Sequence, residues 1–442
     1  MRIVSHRRPS GMHTLLFLDP GHFHAALTLR ARNRRVDPVV HLYARPGPER
    51  DAFTALVRSF NSRADAPTSW ELHVHESNAP ERALVDERRG TIAVLAGRNR
   101  PKLGTIANLH AAGLHVLADK PWLTDPAALP DLEHATAARP LAIDIMTLRH
   151  DVAARLAHRI ATSRELFGGL VRNSTEPAID LFSKHHLLKV VNGAPLERPP
   201  WYYDTRIQGN GLVDIQSHMT DQAQWLVGHG PGFDYGRDFD LEDVRLWSTP
   251  VPLDLFRAST GVEEFPETLA GTVEDGVLDL ACNGEIRYRL RGISVRQRAE
   301  WGQREPEGGG DVQRTTVHGE RATIVARRAP ETAFRAELHV TPRVPDRSFG
   351  MRLDEAFARW ARELPGLARR DSSHGHEIVI PDRLQTPHES HFAMALDDFL
   401  DVLDSNEWPR NLSARIRSRY TLLANAHERC PHPVAAPSPA GP

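Results

Sequence analysis

The sequence predicts an α/β fold in two parts. An N-terminal domain is built on a parallel sheet, and a C-terminal α+β domain carries an open, mostly antiparallel sheet. Three observations carry this expectation. Over the first third of the chain, apolar runs of about five residues alternate with helical stretches that open at Gly or Pro turns. After about residue 147 the texture changes to stretches of alternating polar and apolar residues. The 442 residues also exceed the length of one ordinary domain, about 100–200.

Taken in order, 15–18 is an apolar strand ended by Asp19-Pro20-Gly21, and 24–32 is a helix. Residues 39–43 form a second strand, closed by Arg45-Pro46-Gly47-Pro48, and 50–61 a second helix. Strands at 70–75 and 91–96 follow, then a helix at 102–112 stopped by Gly113. Residues 114–118 and 141–146 complete the strands of this part. Beyond it come a helix at 151–163, a strand at 170–176 and an aromatic, proline-rich loop at 195–204. Residues 211–227 begin with a glycine turn and continue as an amphipathic helix. Strands are expected at 244–248, 269–273, 277–283, 286–293, 314–318, 322–327 and 336–340, with Asn283-Gly284 as a hairpin turn and Gly308-Gly309-Gly310 as a loop. Helices at 388–403 and 413–427 close the chain. The domain boundaries read as a disordered leader at 1–12, in which Met12 offers an alternative start, domains at 13–147 and 148–428, and a disordered tail at 429–442.

Composition excludes several classes. Hydrophobic residues make up 40% and charged residues 25%, an ordinary globular balance. With 55 basic and 57 acidic residues the net charge is −2, so the chain lacks the footprint of a nucleic-acid binder or of a polybasic membrane surface. No apolar run approaches a membrane span. Cys282 and Cys430 are too few and too far apart for a disulfide framework or a zinc ribbon, which fits a reducing, cytoplasmic setting.

Ligands of a parallel α/β sheet bind beyond the carboxyl ends of its strands. At the first such end a dinucleotide-binding turn would read G-x-G-x-x-G, but only the middle glycine, Gly21, is present, with Asp19 and His24 at the outer positions. The same Asp-x-x-His-x-His stretch suits a metal-dependent hydrolase using His22 and His24. That fold needs further ligands at later strand ends. Gly97–Asn99, Asp119–Pro121 and Thr147 do not supply a convincing set, so no metal is expected.

Two further signals concern chemistry. Lys120, at the end of a buried strand and followed by Pro121, can orient a substrate hydroxyl through its ammonium. A lysine merely extending from a strand end explains the same residue. Asp214 and His218 are four apart and would share a helix face, with Leu212, Ile215, Met219, Ala223 and Leu226 lining the buried side. A histidine partnered by a carboxylate is a suitable proton acceptor, although a lone surface pair of this kind is worth little. Upstream, the loop with His185, followed by Trp201, Tyr202 and Tyr203, could stack on a sugar or serve as packing.

Together, the opening turn Gly21-His22-Phe23-His24-Ala25-Ala26, Asp119-Lys120-Pro121-Trp122, Asp144-Ile145-Met146-Thr147 and Gly209-x-Gly211-x-x-Asp214-x-x-x-His218-x-x-Asp221 resemble the Gfo/Idh/MocA oxidoreductases, and within them a branch with a distinctive C-terminal domain. The resemblance implies a Rossmann-like NAD(P)-binding domain. It implies Lys120 as the catalytic lysine, His218 as acid/base and Asp214 as the substrate-site carboxylate. Gly21, His22, Phe23, His24, Arg45, Gly97, Asn99, Lys120 and Pro121 would face the cofactor, and Lys120, His185, Trp201, Asp214 and His218 a sugar, cyclitol or other polyol. The second strand ends in Tyr43-Ala44-Arg45 without the acid of an NAD site, so the cofactor reads as NAD(P) with Arg45 favouring NADP. Homo-oligomerisation through the C-terminal sheet is expected. A non-catalytic nucleotide or sugar sensor on the same fold is the alternative.

Overall fold

The computed structural model describes residues 12–136, 139–172, 174–191, 194–228, 232–306, 309–373, 375–405 and 411–437. Most of the expected leader, the end of the expected tail, Gly308 and His374 lie outside the described residues. The chain divides into two compact units. One takes Met1–Trp122, Pro130–Ile145 and Phe392–Pro409; the other takes Leu123–Leu129, Met146–His391 and Arg410–Pro442. Residues Phe392–Pro409 therefore return to the first unit, which a single boundary near residue 147 does not anticipate.

In the first unit, strands β1 (Leu15–Leu18), β2 (Val39–Ala44), β3 (Glu71–Glu76), β4 (Ile92–Leu95), β5 (His115–Ala118) and β6 (Ala142–Asp144) make a parallel sheet in the order β3-β2-β1-β4-β5-β6. This is the order of a dinucleotide-binding domain, with its topological switch between β1 and β4. Both strands are uninterrupted apolar runs because the middle of a parallel sheet is covered on both faces. Strand β3 lies at the edge and alternates, leaving even Val74 exposed.

Helix α1 is His24–Leu27 rather than 24–32; the chain leaves it through turns. Helix α2 (Pro48–Ser62) starts with proline in its first turn, as does α3 (Pro80–Glu87), which the sequence reading passed over. Helices α4 (Lys102–Ala111) and α5 (Asp131–Ala135) complete the layer. The returning segment is held partly by charge: Arg35 reaches Asp397 at 2.8 Å and Asp401 at 2.6 Å, residues one helical turn apart. These groups are exposed, so the pairs orient the helix more than they stabilise it.

The second unit contains a mixed sheet running Phe239–Pro252, Val277–Leu290, Ile293–Arg304, Ile179–Leu188, Val312–His318, Ala322–Arg328, Glu337–Pro342, Gly375–Val379, Ala368–Ser372. Neighbours are antiparallel except Ile179–Leu188 beside Ile293–Arg304. Among the described residues of 170–176 Leu170 makes only an isolated bridge, and the strand starts at Ile179.

The expected hairpin at Asn283-Gly284 does not form. Both residues lie within the continuous strand Val277–Leu290, pairing Leu246 with Gly284 on one side and Gly284 with Ala299 on the other. The glycine serves a different purpose. The loop at Gly211 crosses this strand so closely that a Cβ on Gly211 would lie 2.3 Å from Asn283 backbone, and one on Gly284 would lie 2.4 Å from the Gly211 carbonyl. Gly211 N–H donates to the Ala281 carbonyl, and Asn283 Nδ2 donates to Thr249 Oγ1 at 2.9 Å, so the crossing is fixed by hydrogen bonds as well. Gly211→Ala should destabilise the fold by about 1–3 kcal/mol, the usual cost of overpacking. Gly104→Ala, in open space within α4, should instead be neutral or stabilise by about 0.5–1 kcal/mol. Urea midpoints of the two variants check this contrast.

Helix Gln216–Val227 follows the crossing. It is buried nearly all round, Gln216, Ser217, Thr220 and Gln224 included, so it is a central helix and not the amphipathic one expected. Both cysteines are free, and none of the described helices is long and apolar enough to cross a membrane.

Candidate active site

In the first unit the strand ends form a crevice of about 430 Å³ lined by Asp19, Arg45, Glu81, Gly97, Arg98 and Lys102, among others. Asp19, in the place of the first fingerprint glycine, adopts φ 40°, a left-handed conformation that Asp tolerates better than most residues. Its carboxylate does not stand bare before an anionic ligand. It accepts from the backbone N–H of Arg45 and pairs with the Arg45 guanidinium. Gly97 packs so closely on this turn that a Cβ would lie 2.6 Å from the Asp19 carbonyl. The N–H groups of Gly21 and His22 donate to the Ala96 carbonyl, which ties the first turn to the end of β4. With α1 only four residues long, little helix-end field reaches a phosphate here.

The Asp119-Lys120-Pro121 motif leaves β5 and is held from below by Lys102. That buried lysine, at the start of α4, donates to the carbonyls of Asp119 at 2.7 Å and Pro121 at 3.1 Å, and to the side chain of Asn99. Three acceptors are what a buried ammonium requires. Asn99, expected at the cofactor, is therefore buried and engaged by Lys102, a positioning residue the sequence reading missed. Lys120 is itself buried, 7% exposed, and Trp122 behind it is fully enclosed.

Around Asp119 the structure corrects the reading of the first turn. His24 Nδ1 lies 2.8 Å from Asp119 Oδ2 and His22 Nδ1 lies 3.7 Å from the same atom. The later-strand partner thought lacking is thus present. The Phe23 ring packs against both imidazoles, with centroids 4.6 Å apart in each case.

In the second unit, Asp214 lies in the turn ahead of helix Gln216–Val227 rather than on it; His218 is in the first turn and half-buried. Asp214 is 4% exposed and lines a small internal cavity of about 10 Å³ with Tyr202, Gln208, Cys282 and Trp301. That is room for about one water, not for a sugar. Burial pushes the Cys282 thiol up to about 12, so it is inert at neutral pH. The aromatic loop is mostly packing: Tyr202 and Tyr203 are buried, and the Arg198 guanidinium sits 4.5 Å over the Tyr202 ring while donating to the His186 and Leu187 carbonyls. Trp201 stays half-buried.

His185 belongs to the central strand Ile179–Leu188, not to a loop. Its Nδ1 lies 3.0 Å from Asp311 Oδ2, which Lys189 also reaches at 3.0 Å, and its Nε2 lies 2.8 Å from Ser183 Oγ. Burial would raise the Asp311 carboxyl, but His185 and Lys189 together hold it well below the usual range. His388, whose Nε2 is 3.1 Å from Thr147 Oγ1, is lowered to about 4 by burial and by Lys189, and so is neutral at pH 7. Asp311 and His388 were missed, because neither stands in a recognisable spacing and only folding brings them to Lys189. The last aspartate of the Asp/His motif, Asp221, is part of a buried network: Arg149 Nε approaches it at 2.6 Å and Arg419 Nη1 at 2.6 Å.

Comparisons with known proteins agree with this architecture. Residues 156–430, more than half of the chain, match the family described as "Putative oxidoreductase C terminal domain". A solved structure of a putative oxidoreductase from Parabacteroides merdae is 31% identical, with a TM-score of 0.89 over 95% of this chain and 97% of that one. A levoglucosan dehydrogenase in complex with NADH and levoglucosan is 15% identical, with a TM-score of 0.58 over 94% of this chain and 96% of that one. A 3-ketoreductase from Actinomadura kijaniata, in complex with NADP and TDP-benzene, is 15% identical, with a TM-score of 0.55 over 94% of this chain and 96% of that one. These last two share the fold. No curated protein matches in sequence. From the matched C-terminal domain and the full-length relative, the chain belongs to the Gfo/Idh/MocA family and is an oxidoreductase enzyme.

Proposed function

We propose that the protein is an NAD(P)-dependent oxidoreductase acting on a CH–OH group of a sugar, cyclitol or related polyol. The observation that carries this reading is the switch-point crevice between β1 and β4, with Lys120 placed at the end of β5 by the Lys102 clamp. The residues fit a dinucleotide: Gly97 lets the end of β4 pack directly on the first turn, where a Cβ would meet the Asp19 carbonyl, and Arg45 answers the Asp19 charge. When bound, the nicotinamide supplies hydride chemistry. The chain's own part is proton transfer and orientation. The half-buried His218 is assigned the hydroxyl proton, and Lys120 a hydrogen bond donated to substrate. Asp214 is read as positioning the turn that carries His218, given its burial. The sugar class rests on the two neighbours crystallised with a sugar or named for a keto group, at the level of shared fold.

Calorimetric titration of the full chain with NADH and NADPH tests the reading; binding of neither at millimolar concentration by folded protein overturns it. Arg45 has one guanidinium nitrogen on Asp19 and is 56% exposed, which leaves its remaining N–H groups for a ribose 2′-phosphate. Arg45→Ala should therefore lower the NADPH-to-NADH affinity ratio by about fivefold to tenfold, the effect of about 1–1.4 kcal/mol. An unchanged ratio places the 2′-phosphate elsewhere.

A further inference from the structure

We propose that His22, His24 and Asp119 form a binding site for a divalent transition-metal ion of the zinc or iron type, a site that the oxidoreductase reading neither requires nor supplies. Among the described residues these three are the group whose histidine and carboxylate ligand atoms all lie within 4.8 Å of one another. The two imidazole Nδ1 atoms converge on a single carboxylate oxygen, Asp119 Oδ2, at 2.8 and 3.7 Å. Donors about 2.0–2.2 Å from a tetrahedral ion stand about 3.3–3.5 Å apart, and the two histidine-to-carboxylate separations bracket that spacing. Two imidazoles and one carboxylate are the donor set of zinc hydrolases and of facial-triad iron sites, and they leave positions open for an outside oxygen ligand.

The supports around the ligands are those a metal site needs. His24 is wedged between Phe23, at 4.6 Å, and Phe392, at 4.4 Å, which fixes its ring plane. The backbone of Asp119 is clamped by Lys102. The His22 and Asp119 side chains are 13% and 7% exposed, and His24 12%, so the group is desolvated yet reachable by solvent. The turn also brings a positive ion to strand ends where the glycine fingerprint has been reduced to Gly21.

The test is equilibrium dialysis of the full, chelator-treated chain against Zn²⁺, and titration with Co²⁺ as a visible-band probe. One tightly held ion per chain is expected, with affinity lost by more than about tenfold in Asp119→Asn and in His22→Gln/His24→Gln. In the wild type, bound Co²⁺ should show a visible band that Zn²⁺ displaces at one equivalent; this arm holds even if a variant does not fold. No tight ion on the wild type, undiminished binding in folded variants, or a cobalt band that zinc does not displace overturns the proposal. NADH and NADPH titrations of the same samples keep a failure of the cofactor reading separate from a failure of the metal site.

Discussion

His218→Ala is expected to lower turnover by about 10²–10⁴-fold, the usual contribution of a general acid–base group, while nicotinamide affinity stays within about twofold. Lys120→Met is expected to lose activity over the same range, since a methionine keeps the stem and removes the donors. The two effects are separable from folding. The helix that carries His218 is anchored by other groups: Gln216 Nε2 donates to the Gly284 carbonyl at 2.7 Å, and Thr220 Oγ1 and Tyr288 Oη both donate to Gln297 Oε1, at 3.2 and 3.1 Å. These anchors stay in place when the half-buried imidazole is removed, so the melting temperature should shift by only a few degrees. Asp214→Asn should behave differently. Buried beside a one-water cavity, it should cost stability and a smaller share of turnover, with no selective change in KM. Turnover, cofactor affinity and melting temperature measured on the same samples decide the matter. A fully active His218→Ala protein removes that residue from the mechanism and leaves the helix as packing.

The parts legible in the sequence are those that local pattern determines. Apolar runs such as Leu15–Leu18 and Ile92–Leu95 announce buried parallel strands, since no other element of that length buries every side chain. The Lys120 motif and the Asp/His motif were legible as spacings. What was not legible depends on contacts distant in sequence. Asn283-Gly284 is a turn signal locally, yet Gly211, about seventy residues upstream, needs that glycine for a backbone crossing, and the tertiary demand overrides the turn. Asp119 was weighed and found unconvincing as a partner for His22 and His24, because β1 and β5 are separated by β4 in the sheet and only the folded strand ends show how close they come. Lys102 reads as an ordinary helix-start lysine until its three acceptors are seen.

Asp221→Asn is expected to destabilise the protein by about 3–5 kcal/mol, the cost of breaking a buried charge network by removing one partner. Asp221 is 3% exposed and Arg419 1%, so neither can turn to water. Burial alone would raise the Asp221 carboxyl, but Arg149 and Arg419 hold it far below the ordinary range. The sign of the pH dependence follows. A carboxylate with a depressed folded-state pKa contributes stability that is fully present above its unfolded value of about 3.9 and is lost as pH falls toward the folded value. The gap in urea midpoint between wild type and Asp221→Asn should therefore be constant from pH 8 to about pH 5 and narrow below about pH 4. Arg149, with its side chain 30% exposed, can be rehydrated when its partner goes; Arg419 cannot, and it carries most of the penalty. Adding Arg419→Met to Asp221→Asn should accordingly recover part of the loss, because an apolar side chain of similar length needs no counter-charge in that position. A cost below about 1 kcal/mol for Asp221→Asn, or a double variant less stable than the single, would mean that the second unit does not depend on this network.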